Sequence, residues 1–66
     1  MLTPPAALEA LLFATGGPIE KKQLAKLLDI NDAELAVTLA ILADSLTERG
    51  IALVETATEA ELRTAP

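Results

Sequence analysis

The chain has 66 residues, enough for one small domain near the lower limit of what folds without disulfides or metals. It contains no Cys and no His, which excludes disulfides, thiolate metal sites and imidazole catalysis. Ten acidic residues against five basic ones leave a net charge of −5, which disfavours non-specific attraction to nucleic acid or an anionic membrane. The start, Met1-Leu2-Thr3-Pro4-Pro5, lacks the basic head and apolar stretch of a signal peptide. No apolar run approaches the ~20 residues of a membrane helix.

Pro4 and Pro5 open a first helix, where a missing N–H costs nothing. Leu8, Leu11, Leu12 and Thr15 recur at helical spacing and predict its buried stripe. Gly16-Gly17-Pro18 ends it, with glycine available for a left-handed cap and proline unable to continue. Ile19 anchors a short extended piece. A second helix is expected from Glu20 to Leu28, apolar at Leu24, Leu27 and Leu28.

Asp29-Ile30-Asn31-Asp32 reads as a turn. Asn31 followed three residues later by Glu34 is a capping-box pattern that starts a third helix, expected to reach Arg49 and stop at Gly50. On it Leu35, Leu39, Leu42 and Leu46 share one face, with Ala36 and Ala43 at its edge. After Gly50 the period changes: Ile51–Thr56 reads as a strand and Glu61–Thr64 as its return. The fold class is therefore mainly α with a small β-hairpin, a winged helix-turn-helix, in one domain over residues 1–66. The sequence ends directly after the hairpin, at Pro66, as though a following domain had been left off.

The charge of the third helix is unusual for that architecture. In DNA-binding winged helices this element enters the major groove, where phosphates demand Lys and Arg. Here Asp32–Arg49 holds four acids, Asp32, Glu34, Asp44 and Glu48, against the terminal Arg49. The shape of a nucleic-acid reader thus presents a helix that duplex DNA would repel. With one Phe and no Trp or Tyr, there is also no platform for stacking bases.

Opposite the core stripe of that helix lie Val37, Ile41, Asp44 and Glu48. Two branched apolar residues among acids fit a protein contact, most simply with a second copy of the chain. The other reading is a broad apolar sector wrapped by the first helix or the wing. On the first helix, Ala6, Ala10 and Phe13 form a second apolar sector, with Phe13 expected to plug the small core or, alternatively, to meet a partner. Lys21, Lys22 and Lys26 form the basic cluster of the second helix, better explained as a solvated face than as a phosphate site.

Catalysis has little to work with. Ser45 is the only serine and has no histidine to activate it. No phosphate loop or metal-ligand spacing is present, so neither an enzyme nor a cofactor is expected.

Two stretches carry a family resemblance. Leu8-Glu9-Ala10-Leu11-Leu12-Phe13-Ala14-Thr15-Gly16-Gly17-Pro18-Ile19 with Leu24-Ala25-Lys26-Leu27-Leu28 resembles the start of segregation and condensation protein B (ScpB). So does Arg49-Gly50-Ile51-Ala52-Leu53-Val54-Glu55 with Leu62-Arg63-Thr64-Ala65-Pro66. The combined opening and close are fairly specific and span most of the chain.

The resemblance implies a non-catalytic cytoplasmic protein, associated with the nucleoid through the SMC complex that organises and segregates chromosomes. It implies a homodimer formed through N-terminal winged-helix domains around one kleisin subunit, ScpA, and through it a link to SMC. No sequence-specific DNA, membrane or small-molecule partner is expected. Relatives often carry Gly-Gly-aromatic-Arg at the wing, where this chain has Thr58-Glu59-Ala60-Glu61, so a less tightly turned and more acidic tip is expected. The rival readings are a winged-helix transcriptional regulator, binding DNA through Lys21, Lys22, Lys26 and Arg63, and a small adaptor in an unrelated assembly.

Overall fold

Local signals set most of the element boundaries. The computed structural model describes residues 3–66, in which α1 (Pro4–Thr15), β1 (Ile19–Glu20), α2 (Lys21–Leu28), α3 (Asp32–Ser45), β2 (Ile51–Glu55) and β3 (Glu59–Thr64) follow in order. Proline opens α1, and Gly16 closes it in the left-handed conformation (φ 71°), its N–H bonding the Leu12 carbonyl. At the start of α3, the Asn31 side chain accepts from the Glu34 N–H at 2.7 Å and the Asn31 N–H donates to Glu34 Oε1 at 3.3 Å. This is the expected capping box.

The three strands form one antiparallel sheet in the order β1-β3-β2. Ile19 pairs with Ala60, and the hairpin runs from Ile51 opposite Thr64 to Glu55 opposite Ala60. Leu8 and Leu12 of α1, Leu24 and Ala25 of α2, Leu35, Leu39 and Leu42 of α3, and Ala60 of β3 make the core. Ile19, Leu46, Leu53 and Leu62 pack on its margin. Three helices with a two-stranded wing make this a winged helix.

Several expectations need correction. Thr15 is exposed rather than part of the buried stripe; its hydroxyl donates back to the Leu11 carbonyl at 2.8 Å. On α2 the docked sector is centred on Leu24, Ala25 and Leu28, leaving Leu27 55% exposed at the trailing edge. Small Ala25 permits close approach where a larger side chain would hold the helix off. On α3 the docked sector is likewise turned: Ala36 and Ala43 are exposed, whereas Thr38 is buried. Its hydroxyl is satisfied by the Glu34 carbonyl at 2.8 Å, so burial leaves no polar group unpaired.

The largest departure is the end of α3. The helix stops at Ser45, four residues before Arg49, and its last turn tightens into bonds such as Thr47 N–H to Asp44 carbonyl (3.2 Å). Glu48, not Gly50, takes the left-handed conformation, with φ 63°. Gly50 is already at the base of the hairpin, where its carbonyl accepts from the Ala65 N–H at 2.9 Å. Leu46 must reach the core margin while the chain reverses into β2, and that tertiary demand overrides a sequence with no local stop signal before Gly50.

The wing tip also differs from expectation. β3 begins at Glu59, so Ala60 is a buried strand residue, and the reversal falls on Thr56–Glu59. There the Thr56 hydroxyl accepts from the Glu59 N–H at 3.0 Å while the Thr56 N–H donates to the Glu59 carbonyl at 2.9 Å. A threonine side chain closes the tight turn without glycine.

Candidate protein-interaction surface

The inner face of α3 is a leucine stripe, and its outer face follows from the same period. Val37 and Ile41 are one turn apart, with Asp44 three residues further, so they form one outward row. Val37 is 60% and Ile41 52% exposed, and Asp44 is exposed beside them. A shallow groove of about 350 Å³ runs beside Val37, lined by Ala33, Glu34 and Thr38. The alternative in which the first helix or the wing wraps this sector is overturned by that exposure. Glu48 does not belong to the row, because α3 ends before it.

Phe13 is 81% exposed on α1, and Ala10 is exposed on the same helix. The expected plug is therefore wrong. Leu8 and Leu12 fill the space between α1 and α3, and Phe13, about 100° around the helix from Leu12, points away from it. The structure brings Val37, Ile41 and Asp44 together and Ala10 with Phe13; these two groups are carried by different helices.

The α3 helix carries Asp32, Glu34 and Asp44 and no base. The basic cluster of α2 is split: Lys21 Nζ lies 3.1 Å from Glu55 Oε1 on the wing, while Lys22 and Lys26 are exposed. Arg63 Nε sits 3.5 Å from Glu61 Oε1. Two of the four cations a duplex would need are thus engaged by carboxylates. The Lys21 N–H also donates to the Thr58 carbonyl at 2.8 Å, fastening the wing tip to the start of α2.

Sequence reasoning missed this fastening, and with it a cleft of about 430 Å³ between α2, α3 and the wing, floored by Leu35 and Leu39. No signal in single residues announces it, because its walls come from three elements. Among the described residues there is no grouping of acids that could hold a metal ion, and no helix is long and apolar enough to cross a membrane.

A winged helix whose reading helix is acidic and apolar on its outer face points to protein assembly. The family model for the segregation and condensation complex subunit ScpB matches residues 6–66. The chain belongs to the ScpB family. Among solved structures, a dimer of the ScpB N-terminal domain complexed with ScpA peptide matches with a TM-score of 0.84 and 34% identity, covering 92% of this chain and 79% of that one. No curated protein matches. With ScpB membership established, the transcriptional-regulator and unrelated-adaptor alternatives give way to a subunit of the SMC–kleisin segregation complex.

Proposed function

We propose that this ScpB-family chain is a non-catalytic assembly module that self-associates through the outer face of α3 and, as a dimer, binds the kleisin ScpA. The observation that carries this is the exposed row of Val37 (60%) and Ile41 (52%) on a helix with no base. Burying both against a partner removes apolar area from water, the main driving term of association. Asp44 borders the row and tunes partner choice by charge. Ala10 and Phe13 on α1 are secondary contributors. Likeness to a dimeric ScpB N-terminal domain bound to ScpA peptide supports both interactions. It also supports reading the chain as the N-terminal module of a two-domain protein, acting in the cytoplasm at the nucleoid.

Light scattering over a concentration series tests this. The unmodified chain is expected to stay dimeric into the low micromolar range. The double substitution Val37→Glu with Ile41→Glu is expected to be monomeric with unchanged helical circular dichroism, since neither residue belongs to the core. Undiminished association of that variant would rule out the α3 surface.

A further inference from the structure

Among the described residues, no acid of α3 enters an ion pair. The two ion pairs join Lys21 to Glu55 and Arg63 to Glu61, both away from that helix. Asp32, Glu34 and Asp44 are exposed, and α3 itself holds no base. Just past its end, Glu48 and Arg49 cancel in net charge. Near its start, Lys22 and Lys26 share a shallow groove with Asp29, Asp32 and Glu34, so acids still outnumber bases there.

A two-fold interface sets a surface against an identical copy of itself. If two α3 helices pair in parallel, Asp44 meets its own copy. If they pair antiparallel, Asp44 comes to the end where three acids stand against two lysines. Neither arrangement answers its charge. Each copy also carries −5 overall, so two of them repel before they touch.

The reach of that repulsion depends on salt. The molecule measures 30 × 24 × 20 Å. Charges are felt over about 30 Å at 0.01 M salt but only about 8 Å at 0.15 M. At low salt the whole charge of one copy therefore acts on the other, whereas near 0.15 M only charges at the contact do. Burial of Val37 and Ile41 is apolar and acts at contact, so salt weakens the opposing term and spares the favourable one.

We propose that self-association of this chain is held back by its own charge, so that rising ionic strength promotes the dimer, with Asp44 the acid that matters most at the contact. This rests on self-association through α3, as proposed above. The sign distinguishes it from an interface held by salt bridges, which salt weakens.

Light scattering over a concentration series, repeated from about 0.01 M to about 0.3 M ionic strength, tests this. The dimer dissociation constant is expected to fall by roughly tenfold or more across that range. Sodium chloride and sodium sulfate at matched ionic strength should act alike, because salting-out of apolar surface would favour sulfate. At about 0.15 M, Asp44→Asn is expected to tighten the dimer by roughly threefold, and Glu59→Gln, which removes the same charge from β3, to change it little. Helical circular dichroism on the same samples reports folding; if the chain unfolds at low salt, the two variants at about 0.15 M still decide. A dimer that salt leaves unchanged or weakens overturns the proposal and leaves self-association standing. Promotion by sulfate alone does the same, and so do equal effects of the two substitutions. A monomer at every salt and concentration overturns both the proposal and self-association.

Discussion

Leu12 and Phe13 are neighbours in sequence, yet Leu12 is 1% exposed and Phe13 81%. The same split separates Leu39, at 2%, from Val37 and Ile41 on α3. Both surfaces of the α1–α3 pair are apolar, but only one holds the fold together. Position on the docked stripe decides burial, and side-chain size does not. The inner face is a repeated Leu pattern that a small domain needs for stability. The outer face contributes nothing to the core and so is free to serve assembly.

Breaking the inner face is expected to have the largest effect. Leu12→Ala removes a fully buried side chain from between α1 and α3 and should cost about 2–5 kcal/mol, measured by denaturant unfolding. A loss well below that range would mean the core collapses around the cavity. Asn31→Ala removes the side-chain acceptor for the Glu34 N–H in the capping box at the start of α3, leaving only the Asn31 N–H bond to the Glu34 carboxylate, and should cost about 1 kcal/mol. Phe13→Ala sharpens the contrast from the other side. Despite deleting the largest apolar side chain, it should change monomer stability by no more than about 0.5 kcal/mol. A loss of the size seen for Leu12 would place Phe13 in the core and erase the distinction between faces.

What could be read from the sequence was what neighbours in the chain decide. The proline start and glycine end of α1, the Asn31–Glu34 box and the Leu35, Leu39 and Leu42 stripe are closed by bonds or spacings of a few residues. The outer row of Val37, Ile41 and Asp44 followed from the same period, once the inner row was placed. The family resemblance added the assembly partners, which no periodicity contains.

Tertiary structure decided the rest. Periodicity shows that a helix has an apolar side but leaves its rotation free by tens of degrees, so Thr38 replaced Ala36 and Ala43, and Ala25 replaced Leu27, at the docked faces. The end of α3 was set by the need to bring Leu46 to the core margin and reverse into β2, which put Glu48 in a conformation its side chain does not favour. Strand order was equally invisible. Only the pairing of Ile19 with Ala60 makes β3 the central strand and leaves β2 at the edge. Short-range hydrogen bonds belong to the sequence; which faces and edges meet depends on all the elements packing at once.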